Sequence, residues 1–341
     1  MPALPDPSEP ISRPRLPRLR WLLLPLAVLA AIVGVKAWQN TLGDPVVRAT
    51  TVTLPDMPAD SAPVTVALIS DIHVAGPDMP PERVERIVAQ INALRPDAVL
   101  IAGDLVSEKR SASHVYRPDQ IIAPLAGLKA PLGVFLVPGN HDHWYGWPAL
   151  KRELAKRPIT VLENAAAQAG PLLIGGLDDD YTGRGDILKT LAAMDGLKGG
   201  RIILSHSPDP LPDLPQGSVI LAGHTHCGQI RLPLVGAIAT QSRYGDRFAC
   251  GRTDDPAGTA IVGAGLGTSL LPIRFGTAPE IWLIKMRPPG TNPTAAAASS
   301  GNKTMIKNNQ SIFRSTQSEN QQRSHAGREP KCVRLQVAGL G

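Results

Sequence analysis

Aromatic residues are scarce in this 341-residue chain, at 4%. No basic stripe interleaved with them is found, so no nucleic-acid-binding module is expected. The formal charge of +6 does not change this. From Arg287 to Gly341 there are eight Lys or Arg against two Glu, which is the whole of the excess, and Met1 to Met286 is neutral. Cysteine is nearly absent too. Cys227, Cys250 and Cys332 form no framework and show no CxxC spacing, which excludes a zinc ribbon. Cys227 directly follows a histidine motif, so a thiolate ligand is conceivable, but an inert buried thiol is the commoner fate of such a residue. A Cys227 to Cys250 disulfide, which would need an oxidising compartment, is a third and less favoured reading. No internal repeat is visible.

Apolar residues are plentiful at 43%, enough for the core of one large domain or two modest ones. One continuous apolar run, Trp21 to Val35, follows Arg13, Arg15, Arg18 and Arg20 and precedes only Lys36 and Arg48. That asymmetry predicts an N-terminus inside. Fifteen residues reach about 22 Å as a helix, a borderline span that Trp21, Lys36 and Trp38 could extend at the interfaces. The reading preferred is an uncleaved single-pass anchor over 21–38, with a secretory signal as the competitor because Val35-Lys36-Ala37 is a tolerable cleavage context. Either one puts the catalytic body on the extracytoplasmic, periplasmic side of the cell membrane.

The remaining organisation is read in five parts. A disordered basic N-terminus covers 1–20, the anchor 21–38, a linker 39–63 with a candidate strand near Val46 to Val52, a globular domain 64–286, and a disordered tail 287–341. Within the globular part strands and helices alternate. Val64 to Ser70 and Ala98 to Ala102 read as buried strands, and Val84, Ile87, Val88, Ile91 and Leu94 share one face of a helix over Pro80 to Leu94. A Pro-interrupted helical stretch over Gln120 to Leu128 leads to a third strand at Gly133 to Val137. Trp147 to Arg157 and Asp186 to Met194 read as helices. Ile159 to Glu163, Leu172 to Gly175, Arg201 to Leu204 and Ser218 to Ala222 read as further strands, and Gln229 to Met286 as a second sheet. The alternation implies an α/β fold.

Five short segments stand where strands are expected to end: Asp71-Ile72-His73, Gly103-Asp104, Gly139-Asn140-His141-Asp142, Ser205-His206 and Gly223-His224-Thr225-His226. In open α/β sheets such positions converge on one crevice. Five of the eight histidines, His73, His141, His206, His224 and His226, fall in these segments, each after an apolar run. Alone, each segment is better explained as a turn, a cap or a core histidine. Together they offer carboxylate, imidazole and amide oxygen, donors that suit divalent Mn, Fe or Zn, and a pair of such ions about 3.5–4 Å apart serves in-line attack on phosphorus. Asp104 could bridge two ions. Asp178, Asp179 and Asp180 read as a solvated loop near the site, Trp144 to Trp147 as a candidate apolar substrate wall, and Arg184, Arg231, Arg243 and Arg274 as candidate phosphate forks that are more commonly plain surface arginines.

The ordered set Asp-x-His, Gly-Asp, Gly-Asn-His-Asp, His and Gly-His-Thr-His resembles the calcineurin-like metallophosphoesterase superfamily. The run from Gly223 to Pro233, with Gly265-Leu266-Gly267-Thr268 and Pro279-Glu280-Ile281, is similar to its membrane-associated bacterial branch of YkuE- and YaeI-like phosphodiesterases. The resemblance implies a four-layered α-β-β-α sandwich, preceded here by the membrane helix and followed by the tail. It implies that Asp71, His73 and His226 hold one divalent ion, that Asp104 bridges, and that Asn140, His206 and His224 hold a second. His141 is then catalytic, protonating the leaving oxygen after a metal-bound hydroxide attacks. The activity implied is that of a metal-dependent phosphodiesterase acting on phosphodiester or pyrophosphate bonds, and an anchored enzyme suggests a lipid or envelope-derived substrate. Two rivals remain: a UDP-2,3-diacylglucosamine-type pyrophosphohydrolase, and a catalytically silent metal-binding scaffold. Cys227 departs from the glycine common in relatives.

Overall fold

The computed structural model describes residues 17–290; the expected tail beyond 290 and the N-terminal stretch before 17 lie outside these residues. The chain opens with helix α1 (Pro17–Leu42), then strands β1 (Val46–Thr53) and β2 (Val64–Ile69). Helix α2 (Pro81–Ala93) leads to β3 (Ala98–Ala102), and α3 (Pro118–Ile122), continued by a 3-10 turn over Ala123–Gly127, leads to β4 (Val134–Val137). Next come α4 (Asn140–Leu154), β5 (Thr160–Val161), β6 (Ala165–Ala169), β7 (Leu172–Gly176), α5 (Ile187–Met194), β8 (Gly200–Leu204) and β9 (Ser218–Ala222). A small hairpin of β10 (Arg231–Leu232) and β11 (Gly236–Ala237) precedes β12 (Gly251–Asp255), β13 (Gly258–Val262) and β14 (Glu280–Arg287).

Two six-stranded sheets result, ordered β1-β14-β2-β3-β4-β5 and β12-β13-β9-β8-β7-β6. Their strands alternate sides, as the two-residue period requires. Val99 and Ile101 of β3 join the core under α2, α3 and α4, whereas Leu100 and Ala102 join the core between the sheets. A third core, with Leu173, Ile203, Ile220 and Val262, lies between the second sheet and the layer of α5 and Phe248. Three cores separate four layers, α-β-β-α. Each fully buried Leu or Ile in them contributes roughly 1.5–3 kcal/mol by leaving water.

Three features depart from the sequence reading. The segment expected to form a second sheet of its own is divided: β13 extends the sheet of β9, and β14 inserts into the first sheet between β1 and β2. β-branched residues announce a strand but not its partner. The candidate strand of the 39–63 stretch forms as β1, paired in parallel with β14 over eight residues, and the departure from a linker is that Leu54 and Met57 beyond it are buried. The helix expected from Trp147 begins earlier, at Asn140, with a break at Gly146, whose φ of 130° only glycine adopts readily.

α1 meets the domain only at its last turns. Ala37 and Thr41 are buried, while the described apolar side chains from Leu23 to Val35 are exposed. The buried Arg83 guanidinium of α2 donates to the carbonyls of Thr41 and Gly43 at 2.7 and 3.0 Å, satisfying the C-terminal end of α1.

Candidate metal centre

Asp71, Asp104, His206 and the His224–His226 pair stand just past the carboxyl ends of β2, β3, β8 and β9, and Asn140 and His141 open α4 behind β4. The backbone there is strained. Asp71, His73, Asp104, His224 and His226 have φ between 48° and 69°, a region costly for side chains other than glycine. Strain of this kind persists only where surrounding bonds hold it. The Asp142 carboxylate accepts from the backbone N–H groups of Asp104, Leu105 and Gly139 at 2.8–2.9 Å, tying the β3 turn to the start of α4. The Asp71 carbonyl accepts from Gly267, and the Asp71 carboxylate accepts from His224 N–H. The glycines are equally constrained: a Cβ on Gly139 would sit 2.3 Å from Asp104 Oδ1, and one on Gly223 2.3 Å from Asp71 Oδ2.

The ring nitrogens show what the cluster is built to receive. His73 Nδ1 faces the Val106 carbonyl at 3.1 Å, His206 Nδ1 the Ala102 carbonyl at 2.8 Å, and His224 Nε2 the Gln241 carbonyl at 3.1 Å. A carbonyl only accepts, so each of these nitrogens carries a proton, and in a neutral ring the other nitrogen presents a lone pair. At His206 burial is outweighed by Asp104, which raises the pKa well above its usual value, so without an ion a proton stands at Nε2. The inner nitrogens face one another and oxygens. His73 Nε2 lies 3.0 Å from His226 Nε2 and 3.6 Å from Asp104 Oδ2. His226 Nε2 lies 3.4 Å from Asp71 Oδ1. His206 Nε2 lies 3.2 Å from Asp104 Oδ2, 3.0 Å from Asn140 Oδ1 and 3.1 Å from His224 Nδ1. Convergent acceptors in a buried site repel unless cations lie among them, and the N/O donor set suits divalent metals.

All seven expected ligands are therefore brought together, in two groups that meet at Asp104. Among the chain's own charges, burial pushes the Asp71 carboxyl up to about 6. Burial, then the His206 charge, drives the His224 imidazole down to about 3. Burial also opposes ionisation of Asp104, but the charge and hydrogen bond of His206 outweigh it and hold that carboxyl below its usual range. His73, Asp104 and His141 also approach closely enough to share an ion. His141 nevertheless differs from the other rings, because its Nδ1 meets the Glu108 carboxylate at 2.9 Å. Burial disfavours its charge, yet the Glu108 hydrogen bond and Asp104 prevail and raise its pKa. Burial opposes charge on His206 as well, and Asp104 raises its pKa further still, so what sets His141 apart is the carboxylate behind its Nδ1, where His73, His206 and His224 meet backbone carbonyls.

Glu108, Asp142 and the backbone clamps escape a reading of the sequence. Glu108 carries no spacing signal and is recruited from a loop after β3. Asp142 stands in its motif, but its three N–H donors are set by the fold. The Cys227–Cys250 disulfide, which the sequence left least favoured, is formed and removes the thiolate-ligand reading. Arg274 is fully buried, its Nη2 donating to the carbonyls of Ala264, Gly265 and Gly267, and so it is not a phosphate fork. The three aspartates are not a solvated loop either: Asp178 is bound to His143 at 2.8 Å, Asp179 is fully buried, and Asp180 pairs with Arg243. Of the tryptophans, Trp147 belongs to the core and donates to Glu163, while half-exposed Trp144 stands 4.9 Å from the His141 ring. Trp144 and Tyr181 wall a cavity of about 390 Å³ that opens over Asp104, Asn140, His141 and His224. A larger hollow of about 910 Å³ lies at the amino ends of β8 and β9 and contains none of these residues.

Comparison with known proteins agrees with the geometry. A family model described as calcineurin-like phosphoesterase matches residues 64–228. The uncharacterized metallophosphoesterase YkuE of Bacillus subtilis is 32% identical over 215 residues, which cover 60% of this chain and 73% of that protein. An uncharacterized metallophosphoesterase of Helicobacter pylori is 30% identical over 232 residues, covering 65% of this chain and 60% of the relative. A transmembrane protein with a metallophosphoesterase domain from Danio rerio is 30% identical over 225 residues, covering 60% and 49%. The chain thus spans less than two thirds of the latter two.

Proposed function

The chain belongs to the calcineurin-like phosphoesterase family and is a metal-dependent phosphoester hydrolase, and on that premise we propose that it is a two-metal phosphodiesterase held at a membrane by α1. The convergence of ring nitrogens and carboxylate oxygens on two neighbouring points carries this reading. Asp71, His73 and His226 would hold one divalent ion, Asn140, His206 and His224 the second, and Asp104 would serve both. When bound, the ions supply Lewis acidity to the phosphoryl oxygens and to the attacking water. The protein's own groups do the rest. Asp142 and the carbonyls of Val106, Ala102 and Gln241 hold the ligands in place before any substrate arrives. His141 keeps a proton because Glu108 grips its Nδ1, and its Nε2 delivers that proton to the departing oxygen. Trp144 and Tyr181 wall the cavity and limit water.

Membrane attachment is supported by the exposed apolar face of α1 and by its length. Trp21 to Val35 lies before the docked turn, and these fifteen helical residues reach about 22 Å, which the flanking Arg20 and Lys36 extend by reaching to the two interfaces. The arginines that precede it favour a domain outside the cytoplasm, and the Cys227–Cys250 disulfide suits an oxidising compartment. The test is hydrolysis of bis(p-nitrophenyl) phosphate, a phosphomonoester and a sugar-nucleotide lipid by metal-reconstituted full-length protein, with Asp104→Ala as the blank. Diester turnover with two bound ions per chain is expected. Turnover equal to the blank, or material that binds no transition ion, would overturn the reading.

A further inference from the structure

Leu188, Leu197 and Val115 stand exposed singly on the described domain, but one group of exposed apolar residues lies together. The hairpin of β10 and β11 carries Leu234 and Val235 at its tip and Ile238 beside it, and a neighbouring turn carries Leu270 and Leu271. Val235 is 71% exposed, Ile238 62% and Leu270 69%, so these side chains have almost no protein around them. Folded monomers seldom leave such a group uncovered without a surface to put it against. Ile238, Leu270 and Leu271 also line the mouth of the cavity over the candidate metal centre.

The topology brings the end of α1 to this same edge. β1 runs parallel to β14, which is antiparallel to β2, so Val46 and Glu280 begin where β2 ends and delivers Asp71. α1 stops four residues before Val46. Its Ala37 carbonyl accepts from Arg274 N–H at 3.2 Å, three residues beyond Leu271, and the adjacent Phe275 is bridged to Ile230 at the foot of the hairpin. Above Ala37 the helix leaves the protein with its leucines and valines bare, and half-buried Trp38 marks the level where an interface is expected.

We propose that the β10–β11 tip and the Leu270–Leu271 turn enter the headgroup region of the same bilayer that α1 crosses, so that the mouth of the metal centre opens onto the membrane surface. The inference rests on the reading of α1 as a membrane helix. Burying apolar side chains to the depth of the headgroups is how interfacial segments hold to lipid. Continuity with the bare helix identifies the occupant: the apolar strip runs from α1, past its docked end, to the rim of the cavity.

The test uses full-length protein with Cys332→Ser, reconstituted in vesicles of phosphatidylethanolamine and phosphatidylglycerol. An environment-sensitive fluorophore is attached at Val235→Cys, at Leu270→Cys or, as a reference, at Leu197→Cys, which lies at the opposite, amino end of β8. The expected result is blue-shifted emission that lipid-borne doxyl groups quench at positions 235 and 270 but not at 197. Quenching by aqueous iodide at all three positions would overturn the proposal, as would protection of 235 and 270 from both quenchers, the mark of a protein partner. Two positions on separate loops guard against one misfolded variant. The readout needs no turnover, so bis(p-nitrophenyl) phosphate hydrolysis by the same vesicles, against Asp104→Ala, reports separately on the phosphodiesterase reading.

Discussion

The ligand cluster and the rim above it share one end of the molecule and are built in opposite ways. In the cluster, polar groups are buried and every ring is fixed from behind by a backbone carbonyl, an arginine or a carboxylate. On the rim, Leu234, Val235 and Leu270 are apolar and exposed; the first two close a two-residue ladder, and the turn of Leu270 is tied down by Ser111 and Gln229. The contrast suits the tasks proposed for the two regions. Metal coordination tolerates only small errors in position, so its donors are locked in strained backbone by a dense set of hydrogen bonds. A surface that meets a ligand or a lipid gains from apolar side chains that can adjust.

The comparison predicts a ranking of effects. The largest belongs to Asp104, where both ligand groups meet: Asp104→Ala should lower kcat about 10³-fold, the upper range for loss of a charge-stabilising group, and lose metal in elemental analysis. Next is the disulfide, which ties the His226 loop to the segment entering β12 across a separation of 23 residues. Replacing both Cys227 and Cys250 by Ser should cost ~3 kcal/mol by chain entropy, read as a lower denaturant midpoint. His141→Ala should reduce diester turnover about 10²-fold, the lower range for a general acid, while metal content stays whole. Loss of metal in that variant would make His141 a ligand and erase its distinction from the other rings. Glu108→Gln should cost about tenfold, because the neutral amide weakens a charge-assisted hydrogen bond, and should move the alkaline limb of the pH–rate profile to lower pH, since Glu108 raises the pKa of a group that must be protonated to act. Leu234→Ser should change hydrolysis of a soluble diester by less than about twofold, as surface substitutions away from such networks do. A large loss there would show that the rim shapes the centre after all.

The site residues stand out in the sequence because metal ligation demands particular donors, and an α/β alternation gathers strand ends whatever the loops between them. Glu108 illustrates the opposite case. Nothing in Ser107-Glu108-Lys109 distinguishes it, and it reaches His141 only because two neighbouring strands bring their following loops side by side. β6, five residues of mostly Ala, lacks the β-branched signal and pairs only because β7 offers an edge. Arg274 shows the hazard in reading a charge as a ligand: its guanidinium closes carbonyls behind His226 instead of meeting solvent.

By itself the sequence determined which donors this protein has, that they follow buried strands, and that an apolar helix precedes them, since composition and periodicity are local properties of the chain. Only the tertiary structure decided which nitrogen of each histidine faces inward, that Cys227 meets Cys250, that β14 crosses into the first sheet, and that α1 ends beside the edge that bears the candidate metal centre. These depend on sheet order and on hydrogen-bond partners far apart in the chain, 159 residues for Lys109 and Thr268 and 153 for Asp71 and His224. Long-range pairing of this kind is fixed by the packing of whole layers and leaves no trace in any short window of residues.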